Sequence, residues 1–263
     1  MLYILILFIV ALLFNAVGWK YFIYFFSIGY GFSIAALGVA IPLLFPGSLT
    51  LVTMLMCLVL ILYGCRLGGY LLLREKKSAS YRKILFDPVV KEKKPVKVMI
   101  ILWVSCALLF ACQVSPIASR LANNAVDNAW TWIALILMAL GFALEAIADA
   151  QKSAAKKKDP HRFVDTGVYK LVRCPNYLGE VILWTGVFLN CIGGGFNLWQ
   201  WLFALLGYIG IIYVMFSGAR RLELRQTKTY GDDPAFQSYA TTTPILLPFI
   251  PLYSVAKYTW LKA

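Results

Sequence analysis

The chain has 263 residues, 61% of them hydrophobic and 14% charged, with a formal net charge of +13. Apolar stretches of about 20 residues recur along it, enough to cross a ~30 Å hydrocarbon core, and this excludes a water-soluble globular protein. The positive charges fall in short segments between apolar runs and not on one contiguous face, so they read as membrane topology, with no nucleic-acid partner.

The six cysteines, Cys57, Cys65, Cys106, Cys112, Cys174 and Cys191, show no C-x-x-C spacing and mostly sit in apolar runs, which predicts neither disulfides nor zinc. His161 is the single histidine, too few for an iron-histidine oxidase or a bis-histidine haem, and no metal is expected.

Met1 to Gly18 is apolar without a basic lead-in or a clear cleavage site, which predicts a retained first span. In chain order the predicted spans are Leu2 to Val17, Tyr21 to Leu44, Leu49 to Leu73, Val98 to Val114, Trp130 to Ala148, Val181 to Ile192 and Leu198 to Gly218. The runs are continuously apolar, unlike the alternating strands of a barrel, so the predicted fold class is all-α integral membrane. A bundle of about seven transmembrane helices in a single polytopic domain over 1-263 is expected. Pro244, Pro248 and Pro251 predict a broken, interfacial segment from Ile245 to Trp260, anchored by Tyr253, Tyr258 and Trp260.

Basic residues set the expected orientation. Arg74, Lys76, Lys77, Arg82, Lys83, Lys91, Lys93, Lys94 and Lys97 follow the third span, and Lys152, Lys156, Lys157, Lys158, Arg162, Lys170 and Arg173 follow the fifth. The loop after the fourth has only Arg120, and Cys191 to Asn197 has no charge. This alternation predicts the amino terminus outside and the carboxyl terminus in the cytosol, in the endoplasmic reticulum or a bacterial inner membrane according to the host.

Several polar groups stand out. Arg66 sits within the third span, where an unpartnered arginine costs roughly 3 kcal/mol on insertion scales, with Tyr63 three residues earlier on the same face. Either Arg66 snorkels to the basic loop and Tyr63 is interfacial, or the two form a buried polar site. Glu145 and Asp149, one turn apart where the fifth helix leaves the membrane, suit a cation, a proton or a buried arginine, or are simply solvated by headgroups. The densest cluster runs from Asp165 to Glu180, with turn formers Gly167 and Pro175, the amide of Asn176, and Glu180 in the first turn of the sixth span. Arg220, Arg221 and Arg225 with Tyr230 and Tyr239 match phosphate groups and flat rings, and equally anionic lipid. There is no G-x-G-x-x-G or Walker sequence.

Tyr169, the run Arg173-Cys-Pro-Asn-Tyr-Leu-Gly-Glu180, Trp184, Ser217-Gly-Ala-Arg, Glu223, Tyr230-Gly, Tyr239 and Pro244 to Pro251 resemble the membrane superfamily of steroid 5α-reductases, sterol C14-reductases and isoprenylcysteine carboxyl methyltransferases. Gly141 to Lys152 and Tyr63-Gly-Cys-Arg-Leu67 resemble its 5α-reductase-like branch known as DUF1295, and the resemblance covers roughly Leu60 to Pro251.

The resemblance implies a cytosol-facing cavity for NADPH, a lipid-like substrate entering from the bilayer, and a monomeric enzyme that reduces an activated C=C bond. It implies catalytic roles for Tyr63, Arg66 and Glu180, with Tyr63 acting on the substrate carbonyl. It assigns to the cofactor Asp149, Lys152, Tyr169, Arg173, Asn176, Tyr177, Arg220, Arg221, Glu223, Tyr230 and Tyr239. Two departures appear: Cys174 stands where many members have histidine, and an apolar residue near Ala35 aligns with a glutamate that holds the ketone in steroid reductases. An S-adenosylmethionine-dependent lipid or isoprenoid methyltransferase shares the arginine-x-proline-x-tyrosine-x-glycine turn and is the main alternative. A non-catalytic lipid-binding protein is the other.

Overall fold

The computed structural model describes residues 2–77 and 94–262; its regular structure is helical, with no strand among the described residues. Its helices are α1 (Leu2–Asn15), α2 (Ile28–Leu44), α3 (Leu51–Lys77), α4 (Val96–Ala122), α5 (Ala129–Lys158), α6 (Pro175–Leu189), α7 (Leu198–Tyr230) and α8 (Pro234–Thr242). Among the described residues, five apolar helical segments are long enough to cross a bilayer: Leu2–Trp19, Leu51–Leu73, Val96–Ala122, Ala129–Lys158 and Leu198–Tyr230. The chain is a multi-pass membrane protein. Arg82, Lys83, Lys91 and Lys93 of the expected basic loop lie outside the described residues.

The remaining two expected spans differ from those drawn, the second by breaking in two and the sixth by starting and ending earlier. The second breaks into a 3₁₀ turn over Phe22–Phe26 and the 17-residue α2, because Ser27 leaves helical geometry at φ −130° and ψ −94°. A run of aromatics loses rotamer freedom in a helix, and the Ser27 hydroxyl donates to the Ile23 carbonyl at 2.9 Å, rewarding the turn. The sixth, α6, has 15 residues and begins at Pro175, earlier than expected, with proline in the first turn where its missing N–H costs nothing.

α4, α5 and α7 run well past their expected carboxyl ends. α4 continues through Pro116 to Ala122, and the Ser115 hydroxyl takes the Cys112 carbonyl, at 2.8 Å, that Pro116 has no N–H to engage. α5 runs on through Gln-Lys-Ser-Ala-Ala-Lys-Lys-Lys to Lys158, and α7 through its basic stretch to Tyr230. Both extensions are rich in helix formers, and the lysines closing α5 complement the negative end of the helix dipole.

The described chain forms two compact units. The first comprises residues 1–135 and 187–208. In it α2 and α3 pack backbone to backbone: a Cβ on Gly64 would stand 2.4 Å from the Gly31 carbonyl oxygen and 2.5 Å from the Ala35 nitrogen. α1 is fastened to α4 by Trp103, which donates to the Leu12 carbonyl at 2.8 Å, and by the Tyr3–Ser119 hydroxyl pair at 2.9 Å. The fully buried Arg120 donates to the carbonyls of Asn190, Ile192 and Val126. Leu2, Leu5, Ile9 and Leu13 of α1 stay exposed, as side chains facing lipid should be.

The second unit comprises residues 136–186 and 209–263. α5 and α6 meet through glycine on both sides, since a Cβ on Gly141 would lie 2.5 Å from the Gly179 carbonyl oxygen. Beyond α8 the chain has no regular helix. It folds back: Arg173 and Cys174 donate their N–H groups to the carbonyls of Pro244 and Ile245 at 2.9 and 3.0 Å. Ile245, Leu246, Val255 and Leu261 thereby join Val172, Cys174, Leu178 and Ala219 in one core.

Candidate functional site

The second unit contains a cavity of about 200 Å³ lined by α5, α7 and the 163–173 segment. Lys152 and Lys156 reach it from α5 at helical i, i+4 spacing, and Leu222, Arg225, Gln226 and Thr229 from one face of α7. Phe163, Tyr169, Arg173 and Tyr230 complete its wall. Four cations and three aromatic rings thus converge on one small space. Gln226 Oε1 has no hydrogen-bond partner among the described residues.

The wall is held by specific contacts. Lys156 Nζ donates to the Tyr230 hydroxyl at 2.9 Å and to the Pro160 carbonyl at 3.0 Å. Phe163 stacks on Tyr239 with centroids 5.5 Å apart and meets Phe236 edge-on at 5.2 Å. The Tyr169 hydroxyl donates to the Ala148 carbonyl at 3.2 Å, and the Tyr239 hydroxyl to the Tyr169 carbonyl at 2.7 Å. Burial pushes the Tyr239 phenol above its ordinary range. Gly167, at φ +62°, lets the turn close on Gln151, whose Oε1 accepts from the Val168 N–H at 2.9 Å.

Arg173 is buried and donates to Glu223 at 3.1 Å and to the Tyr253 carbonyl, while Glu223 also accepts from the Val255 N–H at 2.9 Å. Arg173 Nε is buried with no hydrogen-bond partner among the described residues. Next to it, the fully buried Cys174 thiol is pushed up to about 12, by desolvation first and against the pull of Arg173 and Lys152.

Of the expected cofactor residues, Lys152, Tyr169, Arg173 and Tyr230 line the cavity. Glu223 and Tyr239 act on it from behind through Arg173 and Tyr169. Arg220 donates to the carbonyls of Ala256 and Leu261, at 3.1 and 3.4 Å, and so holds the carboxyl-terminal segment. Arg221 hydrogen-bonds Tyr177, whose ring lies against Gly218. Asn176 and Asp149 are half-buried on α6 and α5, outside the cavity wall. Glu180 is buried and accepts from the Trp184 indole at 3.3 Å, and Glu145 is buried where α5 meets Gly179.

In the first unit Tyr63 is fully buried, and its hydroxyl donates to the Tyr30 hydroxyl at 3.1 Å. Tyr30 in turn packs on Phe110 with centroids 5.0 Å apart. The Arg66 guanidinium stands 5.8 Å from the Tyr70 ring centroid, one turn further along α3. The sequence singles out Tyr63 and Arg66 but not Tyr30, a tyrosine within an apolar run that carries no local signal. Phe163, Gln226 and Thr229 were likewise not singled out. The i, i+3, i+4, i+7 recurrence of Leu222, Arg225, Gln226 and Thr229 is a signal that could have found the α7 wall.

An uncharacterized protein of Schizosaccharomyces pombe is 31% identical over 127 residues, an alignment that covers 40% of this chain and 36% of that protein. The matched region is thus little more than a third of the relative's own length. No solved structure matches the chain. Residues 22–243 match the family model described as a protein of unknown function, DUF1295. That match takes in α2 to α8 with the cavity wall and the tyrosine pair, and this chain belongs to the DUF1295 family.

Proposed function

We propose that this protein is an NADPH-dependent membrane reductase acting on an activated C=C bond of a lipid-like substrate. The observation that carries the reading is the convergence of Lys152, Lys156, Arg173 and Arg225 with Phe163, Tyr169 and Tyr230 on one cavity. Clustered cations fit a polyanion, and arginine forks match phosphate oxygens bidentately. The guanidinium of Arg173 and the amide of Gln226 on the same wall offer donor and acceptor chemistry that fits the phosphate and amine or hydroxyl groups of a nucleotide. A cavity of about 200 Å³ suits a phosphate-bearing part of such a molecule and not its full length. The same cations disfavour the sulfonium of S-adenosylmethionine, which ranks the methyltransferase alternative second.

When bound, the dinucleotide supplies hydride. Lys152 and Arg225 hold its phosphates, Lys156 adds positive charge beside them while its three N–H groups hold the wall, and the rings of Phe163 and Tyr230 offer flat surfaces for stacking. In the first unit the Tyr63 hydroxyl is the proton donor to the substrate carbonyl. It is neutral and buried, and its O–H, which donates to Tyr30 at 3.1 Å, turns to the carbonyl when substrate enters, leaving the Tyr30 hydroxyl to donate in return to the Tyr63 oxygen as charge develops there. Glu180 accepts from Trp184 one turn along the same helix, which orients its carboxylate on α6.

Purified protein is titrated with NADPH, NADH and S-adenosylmethionine while its melting temperature is followed. NADPH is expected to raise it, and Arg225→Ala to weaken that response about tenfold or more, the share of one charge-assisted contact. With an enone and NADPH, Tyr63→Phe is expected to lose about 10²-fold or more in turnover with cofactor binding retained. A response to S-adenosylmethionine alone overturns the reductase reading.

A further inference from the structure

The segment beyond α8, residues 243–262, carries Lys257 and Lys262 and no acidic residue. One face of it is core. Ile245, Leu246, Val255 and Leu261 are buried, and the side chains packed around that core include Leu144 of α5, Val181 of α6 and Phe216 of α7, all in the apolar stretches of their helices. The end of the segment runs back along α7. The Tyr213 hydroxyl donates to the Trp260 carbonyl at 3.0 Å and accepts from the Lys262 N–H at 3.1 Å. Tyr213 lies ~10 Å along the axis on the apolar side of Arg220, the first charge on α7. The segment therefore sits at the level of the lipid and not beyond it.

The other face is aromatic and open. Phe249 is 95% exposed and Trp260 63%, with Ile250 and Tyr253 exposed between them. Phe249 has a φ of +65°, a left-handed conformation that a bulky side chain adopts only under strain and that asparagine or glycine takes freely. Almost none of its ring touches the protein, so no contact within the chain offsets that strain. Transfer of the ring into lipid does. Aromatic rings with lysines alongside are the side chains that settle at a membrane–water boundary, and the Lys257 Nζ stands 5.2 Å from the Tyr258 ring centroid.

We propose that the outer face of residues 245–262 is a docking surface for the bilayer interface, with Phe249 and Trp260 among acyl chains and the two lysines level with headgroups, and that this contact braces the cavity wall. The brace runs through the backbone of the same segment. The Val255 N–H donates to Glu223 at 2.9 Å, and the Tyr253 carbonyl accepts from Arg173, which Glu223 holds at 3.1 Å and which lines the cavity. The effect on nucleotide affinity rests on the reductase reading; the docking does not.

The full chain is placed in nanodiscs of phosphatidylcholine, plain or brominated on the acyl chains, and the emission of the tryptophan added by Phe249→Trp is read against wild type. Ser238→Trp, on the exposed polar face of α8, is the reference. The tryptophan at 249 is expected to lose most of its emission in brominated lipid and the one at 238 little. Equal quenching at the two positions overturns the docking surface, whether water, a second copy or another protein covers Phe249 instead.

Phe249→Asn suits the backbone and removes the ring. In plain nanodiscs the affinity for NADPH is expected to fall severalfold in Phe249→Asn and to stay at the wild-type value in Phe249→Trp, a split that internal packing does not produce at so exposed a position. Equal affinity in all three overturns the brace. If none of the three binds NADPH, the nucleotide reading fails, and the rate of trypsin cleavage at Lys257 decides. Faster cleavage in Phe249→Asn alone supports the brace, and equal rates overturn it.

Discussion

Arg173 and Glu223 form an ion pair at 3.1 Å with almost no solvent contact, and the same carboxylate receives the Val255 N–H from the carboxyl-terminal segment. One charge pair therefore ties the turn before α6, the body of α7 and the tail into a single core, and sets Arg173 at the cavity wall. Removing one partner of a buried pair leaves an uncompensated charge, at a cost of about 3–5 kcal/mol. Glu223→Gln is expected to lower the melting temperature sharply and to open the tail to trypsin at Lys257. The double variant Arg173→Met/Glu223→Leu is expected to regain much of the loss. The exposed Arg162–Asp165 pair, at 2.7 Å, is the control, and Arg162→Ala is expected to cost under about 1 kcal/mol. Equal effects at the two pairs would refute the role assigned to Glu223.

Cys174 gives the fold an alkaline limit. Its thiol rises from 9.0 to about 12 on burial, so the folded protein holds the proton more tightly than the unfolded chain. The linked stability is complete below pH 9.0 and is lost as the pH climbs from there toward about 12. Unfolding followed at pH 8 to 11 is expected to show a decline that Cys174→Ala flattens. Maleimide is expected not to label Cys174 at neutral pH until denaturant is added.

Gly167 answers two demands at once, a φ of +62° and room for Gln151, whose Oε1 would stand 2.2 Å from an added Cβ. Gly167→Ala is expected to cost about 1–3 kcal/mol and to break the Gln151 to Val168 bond that shapes the turn before Tyr169. Loss of melting temperature together with weaker NADPH binding is the expected pair of results. Undisturbed binding would separate this turn from the cavity.

The Tyr30–Tyr63 pair depends on the closeness of α2 and α3. A methyl at Gly64 meets backbone at 2.4 Å, whereas one at Gly69 meets nothing within 4 Å. Gly64→Ala is expected to push the helices apart and depress enone reduction as Tyr63→Phe does. Gly69→Ala is expected to leave activity alone and to add up to about 1 kcal/mol of stability through helix propensity. Activity retained in Gly64→Ala would mean that the hydroxyl contact is dispensable.

Much of the architecture is legible in the residues. The long apolar runs alone require helices across a bilayer, because lipid leaves no other way to satisfy the backbone of a continuously apolar segment. Gly141 to Lys152 and Tyr63 to Leu67 point to the family that residues 22–243 match. Less legible were the ends: apolarity marks where lipid stops and not where helix stops, so α5 and α7 outrun their spans on helix-forming polar residues.

What the sequence alone determined is therefore the solvent, the helical class and the family, all of which follow from local composition and short motifs. Only the tertiary structure decided that Arg220 and Glu223 hold the tail, that Lys156 and Gln226 face a cavity, that Tyr30 partners Tyr63, and that Trp260 and Lys262 return to the Tyr213 hydroxyl. The physical reason is common to all four. Which polar groups meet is set by how closely helices distant in sequence approach, through glycines such as Gly31, Gly64, Gly141 and Gly179, and by which chain segment returns to cover them. No local pattern encodes that.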